Sequence, residues 1–508
     1  MPVRYFFIEC SLPFWIEIAE YLKQEYEWIP IYWSGTEEVK EGVINHFPNI
    51  YFHPNKNAVR GIPHKNFANN KLYPIDKHLL KNLSYCQSIT LQMMDRMDRN
   101  EIFSFQERLQ LFYLYVRYWN TILKKLKPDV SIFPVSPHLA YDYVLYSLCK
   151  LRNIPTMMFV QTSLNYLIYP VQQFEQGSSE LRKEYNKILN KDYNSVVLSK
   201  NSKQYINKMQ GKYSNAVPFY MKNQFEKSNP ILFLIKEIVT KPNHISDLIK
   251  KGRYLFSRNH YIKEPGKPIR NSNMKGMKYI YIEVEGVRKK NYLKKFYNQI
   301  IEPFNEDIPF IYFPLHYQPE RTSCPEGEIF SDQFLIIDMI SKLLPYNWQL
   351  YVKEHTSQWH PLMHGECSRD KSFYEKVRSL ENVHFLSTQV SSFKLTDKAK
   401  AVATITGTSG WEALIRETPA LVFGHAWYKD CHGAFSVESI EDCKKAISLI
   451  ANGFSIDLNK VKAFLKALEN AGIKAYVGEG YKTATDISYE ENIKNISKCI
   501  YSYIKKTQ

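Results

Sequence analysis

Three stretches of the sequence end an apolar run with groups able to hold an anion. In Ala401-Val-Ala-Thr-Ile-Thr-Gly-Thr-Ser-Gly-Trp-Glu-Ala-Leu-Ile-Arg-Glu-Thr-Pro-Ala-Leu-Val-Phe-Gly424, a buried strand leads through a Gly/Thr/Ser loop into a helix and a second strand. Gly407 and Gly410 allow a tight turn and close backbone approach, while Thr406, Thr408 and Ser409 bring hydroxyls. A helix opening near Trp411 presents unpaired N–H groups and the positive end of its dipole, a combination suited to phosphate. An ordinary N-capped strand-to-helix turn has the same composition. Glu412 is acceptor-only when ionised and suits a sugar or ribose hydroxyl better than a phosphate. The second stretch, Leu350-Tyr-Val-Lys-Glu-His355, closes a strand with the cation Lys353 and the imidazole His355. The third, Tyr312 to Ser323, leaves a strand for a polar loop, and Ser331-Asp-Gln333 then opens a helix. Parallel α/β sheets bind ligands at the carboxyl ends of their strands, where all three stretches fall.

The other half of the chain offers candidates for proton transfer. Pro134-Val-Ser-Pro-His138 follows the apolar run Val130–Phe133, and Asp142 lies in the first turn of the next helix. At spacing i, i+4, His138 and Asp142 share one helical face. Asp142 is the first candidate for catalytic base or nucleophile, with His138 as base or anchor. An aspartate there also simply favours a helix N-terminus. Glu9 and Glu175 are the alternatives. His425, Cys431 and His432 lack a fourth metal ligand at suitable spacing and read as loop residues at a cleft rim. No Asp-x-Asp triplet occurs, so neither a metal nor another cofactor is expected. Leaving-group charge would fall to the helix end, the hydroxyls, Lys353 and His355.

These groups need strands and helices in alternation, and the periodicity supplies them. Tyr5–Glu9 and Trp28–Tyr32 read as strands around a helix over Phe14–Glu25. A helix over 105–127 precedes a strand at Val130–Phe133, a helix at Tyr141–Leu151 and a strand at Ile154–Val160. Further strands are predicted at Tyr279–Glu283, Pro309–Phe313, Gln349–Val352, Val383–Leu386, Ala401–Ile405 and Ala420–Phe423. Helices fall near Asp332–Leu344 and Ser372–Leu380. The fold class is therefore α/β. Residues 1–263 form an N-terminal domain with a polar helical insertion at about 178–262, 264–276 a linker rich in Pro, Gly and Asn, and 277–508 a C-terminal domain with a final helix.

The 508 residues, 44 % of them hydrophobic, suffice for two cores. No apolar run is long enough for a transmembrane helix, and Glu9, Pro13 and Glu17 interrupt any signal-peptide reading of the start. Eight cysteines without a Cys-x-x-Cys pair point to free thiols in the cytoplasm. The formal net charge is +16. Between Lys241 and Gln299, fifteen Lys/Arg stand against four Asp/Glu, the basis for expecting peripheral attachment to an anionic inner-membrane surface. A solvated linker face carries such charge equally well. No nucleic-acid-binding motif accompanies it, so nucleic acid is not an expected partner.

Phe313-Pro-Leu-His-Tyr-Gln-Pro-Glu320, Val352-Lys-Glu-His355, Thr404-Ile-Thr-Gly-Thr-Ser-Gly-Trp-Glu412 and Phe423-Gly-His-Ala-Trp-Tyr428 together resemble the capsule polysaccharide synthesis family, whose members include bacterial Kdo transferases. The resemblance covers about residues 277–437. It implies a GT-B glycosyltransferase: two Rossmann-like domains facing across a cleft, nucleotide-sugar donor on the C-terminal one and acceptor on the N-terminal one. It implies donor-binding roles for Gln318, Lys353, Glu354, His355, Thr406, Gly407, Thr408, Ser409, Gly410 and Glu412. The implied partners are a nucleotide sugar, CMP-linked in the Kdo case, and a surface polysaccharide or its lipid-linked primer. Thr356 replaces the proline that usually follows Lys-Glu-His in the family, which leaves room for another activated sugar. A nucleotide-sugar epimerase or hydrolase on the same fold, and a non-catalytic capsule-assembly protein, are the competing readings.

Overall fold

The computed structural model describes residues 2–97, 104–211, 276–318, 320–360 and 363–507. The first strand, β1 (Arg4–Phe7), consists largely of bulky aromatic residues, and Tyr5, Phe6 and Phe7 are fully buried, as a strand covered on both faces requires. Strands β2 (Ile29–Gly35), β3 (Tyr51–Pro54), β4 (Val130–Ile132) and β5 (Thr156–Gln161) extend it by parallel pairing, and β6 (Leu167–Val171) turns back antiparallel on β5. A second sheet, parallel throughout, contains β7 (Phe310–Pro314), β8 (Gln349–Lys353), β9 (Val383–Leu386), β10 (Ala401–Thr404), β11 (Ala420–Val422) and β12 (Ala434–Ser436). The short β13 (Ile473–Lys474) pairs antiparallel with β6 and so rejoins the first sheet.

The sheets run β13-β6-β5-β4-β1-β2-β3 and β12-β11-β10-β7-β8-β9. In each, consecutive strands fan outward in both directions from a central pair, β1/β4 in the first and β7/β10 in the second. This is doubly wound Rossmann order, with one topological switch point per sheet. The GT-B plan of two Rossmann-like domains across a cleft is thus the observed architecture.

The helices form where the apolar spacing places them. The longest described in the first unit, Phe105–Leu126, opens with a capping box between Ser104 and Glu107 and stops at Lys127, whose φ of 49° breaks the hydrogen-bond ladder before Pro128. Phe112, Val116, Trp119 and Leu123 are buried along its face. Burial of each such large side chain contributes roughly 1.5–3 kcal/mol.

Two expectations give way. Tyr279–Glu283, read as a strand, lies inside the helix Gly276–Ile300. Its apolar residues alternate over too short a span to distinguish the two periods, and the helical run beyond it decides. The second concerns the end of the chain, assigned by sequence order to the C-terminal domain. The helix Tyr489–Thr507 buries Ile493, Ile496, Ile500 and Ile504 in the core beneath the helix Phe14–Tyr26, where Tyr501 stacks on Tyr26 at 3.6 Å. Together with β13, the tail therefore completes the first unit. An apolar stripe specifies that a helix must be covered and does not say by which domain.

Of the polar insertion, the helices Ser179–Leu189 and Lys200–Gln210 are described, and both read correctly as helical. The linker at Glu264–Asn273 and most of the basic stretch from Lys241 lie outside the described residues. Among the described residues no helix is long and apolar enough to cross a membrane.

Candidate active site

A cleft of about 1050 Å³ is lined by residues of both units. It lies at the carboxyl ends of the central strands, so both switch points open into the same space. Ser136, after β4, donates its hydroxyl to Glu326 of the second unit, and the two crevices meet there.

On the second unit, the loop after β10 is organised by Thr404. Its Oγ1 accepts the Gly407 N–H at 3.0 Å and the Ser409 hydroxyl at 3.4 Å. It lies 3.0 Å from His316 Nε2, which also accepts the Ile405 N–H at 3.1 Å. An imidazole nitrogen that accepts an amide proton carries none itself, so the ring proton of neutral His316 is on Nδ1, 3.8 Å from Glu320 Oε1. The loop is closely packed. A Cβ on Gly407 would stand 2.8 Å from Thr404 Oγ1, and one on Gly410 would stand 2.3 Å from the Tyr428 hydroxyl. Gly407 is the N-cap of the helix Thr408–Ile415, which has no side-chain cap and no acidic residue in its first turn. The first N–H groups are therefore presented to the cleft beside the hydroxyls of Thr408 and Ser409, an arrangement that favours an anion.

The implied donor residues divide by what they touch. Lys353, Glu354, His355, Thr406, Gly407, Thr408, Ser409 and Glu412 all line the cleft. Lys353 Nζ donates to Val390 O at 2.8 Å and to Ser392 Oγ at 2.6 Å, leaving one of its three N–H groups for a ligand. Burial lowers its pKa from 10.5 to about 8. His355 Nδ1 accepts the Ser357 N–H at 3.2 Å, so Nε2 carries the proton of the neutral ring and can donate. Glu412 is raised from 4.5 to about 7 by burial, against the opposing pull of Thr408 and Arg416.

Three other assignments are redirected. The Glu354 carboxylate is occupied by Arg369 Nε at 3.0 Å, the Tyr374 hydroxyl at 2.7 Å and the His355 N–H at 2.9 Å, and holds the turn instead of a ligand. Gln318 spends its side-chain amide on Ser331 O at 2.7 Å and does not line the cleft. Gly410 is buried under Tyr428 and serves packing. In addition, the Thr406 hydroxyl donates to Thr322 O at 2.6 Å, which ties the two loops together.

On the first unit, Asp142 is 1 % exposed and is not a lining residue. Its carboxylate accepts the His138 N–H at 2.9 Å and the Leu139 N–H at 2.8 Å, fastening the loop after β4. His138 likewise stays off the lining, with Nδ1 3.1 Å from Ser136 O. Glu175 accepts from Tyr146 and Lys150 and is not itself a lining residue. Glu9 stands at the switch point, in the left-handed region at φ 64° just past β1, and like Asp142 is not a lining residue of the cleft. Its N–H meets Ser34 Oγ at 2.9 Å, and Oε1 accepts the Ser11 hydroxyl at 3.4 Å. Burial, then the neighbouring Asp142, raises its pKa to about 8, while Ser11 and the cleft-lining Arg321 pull it down.

Sequence reasoning singled out the stretch Tyr312–Ser323 without giving roles to its His316, Glu320 and Arg321, and it missed Glu326; all four line the cleft. Burial would raise the Glu320 pKa, but His316, Thr322 and the charge of His355 hold it below its ordinary value. The i, i+4 spacing of His316 and Glu320 straight after a strand was the available signal. His425 lines the cleft, with Nε2 3.1 Å from Glu328 Oε1, whereas Cys431 and His432, expected at the same rim, line a separate pocket. Among the described residues no three His, Cys, Asp or Glu side chains cluster as metal ligands do.

Residues 336–435 match the family described as capsule polysaccharide biosynthesis protein. That segment spans β8 to β12 and contains the phosphate-type loop, Lys353 and His355. No curated protein sequence matches the chain. Among solved structures, the chain is similar to KpsC, a beta Kdo 2,7 transferase of Thermosulfurimonas dismutans (10 % identity, 80 % of this chain and 95 % of that one, TM-score 0.27). It is also similar to a glycosyltransferase of Rickettsia africae (11 %, 100 % of both chains, TM-score 0.24) and to the UDP-GlcNAc 2-epimerase of Methanocaldococcus jannaschii (13 %, 92 % and 100 %, TM-score 0.23).

Proposed function

We propose that this chain, which carries a capsule polysaccharide biosynthesis segment at residues 336–435, is a glycosyltransferase. It moves a sugar from a nucleotide donor onto a surface polysaccharide or its lipid-linked primer. The observation that carries the reading is the opening of two switch points into one cleft, with an uncapped helix end and the buried Lys353 on one wall.

In this reading the donor phosphate rests on the N–H groups of Thr408 and Ser409, with Lys353 and His355 Nε2 completing the shell. Glu412 accepts from the ribose hydroxyls. As the bond from the anomeric carbon to the phosphate oxygen breaks, negative charge grows on the leaving nucleotide, where these fixed donors already point. An acceptor hydroxyl forms the new bond and gives up its proton. Behind the lining of that cleft, Glu9 takes the proton: Asp142 fixes the loop and supplies charge, and burial together with that charge raises the Glu9 pKa to about 8. A carboxylate with a pKa near the working pH is an effective base. The sugar is an acidic one such as Kdo, carried on CMP, and the protein works at the cytoplasmic face of the membrane.

Nucleotide-induced thermal shift on the full chain tests the binding half of this proposal. CMP, UMP, UDP or GDP at 100 times its dissociation constant should add about 2.7 kcal/mol to stability. A chain that responds to none of them is not a nucleotide-sugar enzyme.

A further inference from the structure

The helix Lys200–Gln210 belongs by sequence to the first unit, yet its last turn is fixed to the second. Arg416 donates to Met209 O at 2.8 Å and to Gly211 O at 3.2 Å, and Gln210 Nε2 donates to Ile415 O at 3.2 Å. Ser202, Ile206 and Met209 form its buried face. Asn201, Gln204, Tyr205 and Lys208, at spacing i, i+3, i+4 and i+7, form another face, and all four line the cleft. Asn201, Gln204 and Lys208 are exposed and Tyr205 is half-buried. The helix packs against Thr408–Ile415, the helix that carries Glu412, and Tyr205 lies close enough to the Glu412 carboxylate to feel its charge. Neither the expected donor set nor the family-matched segment includes any residue of this helix.

We infer that the Asn201–Lys208 face of this helix reads the nucleobase of the donor, so that the specificity of the C-terminal site is supplied by a helix from the other half of the chain. The inference rests on the nucleotide-sugar reading above. A nucleoside whose ribose is held by Glu412 and whose phosphate is held by Ser409 must place its base on the side of Glu412 remote from the phosphate. A primary amide offers a donor and an acceptor side by side and matches the edge of a base in two hydrogen bonds. Asn201 and Gln204 provide two such amides one helical turn apart, and the Tyr205 ring offers a face on which a base can stack. Both amides are exposed and have no role in the core, so their removal leaves the fold intact.

The test is calorimetric titration of the full chain and of the double variant Asn201→Ala/Gln204→Ala with CMP, UMP, GMP and inorganic pyrophosphate. The wild-type protein should rank the three nucleotides over at least about a tenfold range in affinity, as loss of one bidentate base-edge pair implies. The double variant should bind the preferred nucleotide about tenfold more weakly, with the ranking flattened and pyrophosphate binding unchanged. An unchanged ranking, or an equal loss for pyrophosphate, overturns the inference and leaves the nucleotide-sugar reading standing. A wild-type protein that binds pyrophosphate but no nucleotide overturns both.

Discussion

His316 Nε2 lies 3.0 Å from Thr404 Oγ1 and links the loop after β7 to the loop after β10 across the switch point of the second sheet. Because Nε2 also accepts the Ile405 N–H, the Thr404 hydroxyl points its hydrogen at the ring and keeps its lone pairs for Gly407 and Ser409. One threonine thereby sets the shape of the loop from Ile405 to Ser409.

Thr404→Val removes that oxygen with little change of volume. Two donors are left without their acceptor, at a cost of about 1–3 kcal/mol for a buried group. The variant should lose that much stability in urea denaturation and bind nucleotide at least about tenfold more weakly.

Gly410→Ala tests the packing beneath the same helix. The new methyl would stand 2.3 Å from the Tyr428 hydroxyl, which donates to Gly407 O. Overpacking of this kind costs about 1–3 kcal/mol. Tyr428→Phe in the same chain should recover part of the loss, as a double-mutant cycle on the melting temperature would show.

Nucleotide affinity should be bell-shaped in pH. In the proposed site Glu412 is the stronger acceptor for the ribose hydroxyls when ionised, so affinity rises as pH passes its pKa of about 7. Lys353 attracts phosphate only when protonated, so affinity falls as pH passes about 8. Calorimetry from pH 6 to pH 9.5 should show Glu412→Gln flattening the acid limb and Lys353→Met the alkaline one. Stability should behave differently. The unfolded chain holds the Lys353 proton more tightly, so its contribution to stability rises with pH between about 8 and 10.5.

The carboxylate pair separates by kinetics. Glu9→Gln should lower kcat by at least about 100-fold, the low end for a general base, with nucleotide affinity retained. Asp142→Asn removes a neighbouring negative charge, so the Glu9 pKa drops and the acid limb of kcat at saturating donor shifts to lower pH. An unshifted acid limb in Asp142→Asn would separate the two residues.

Much of this was legible in the sequence because both sheets are made of short apolar strands punctuated by Gly, Pro and charged residues. The loop at Thr406–Gly410 and the cation at Lys353 declare themselves by type and position. What the sequence could not reveal is which polar groups are consumed internally. Glu354 looks like a ligand until Arg369, fifteen residues on, folds back onto it. Asp142 looks like a base until the loop it caps is seen to occupy both oxygens. Glu9 becomes chemically interesting only beside Asp142 and Arg321, which lie far from it in sequence. The helix Tyr489–Thr507 shows the same limit at the scale of a domain, since its isoleucines specify burial without naming the partner.

The central claim is transfer of a sugar to an acceptor. The direct measurement is a mass-spectrometric screen of the full chain with CMP-, UDP- and GDP-linked sugars, with and without a glycolipid acceptor. The account predicts that one donor is consumed only when acceptor is present, and that the acceptor gains the mass of one sugar for each nucleotide released. Conversion or hydrolysis of the donor at the same rate without acceptor would contradict it and would make the chain an epimerase or hydrolase.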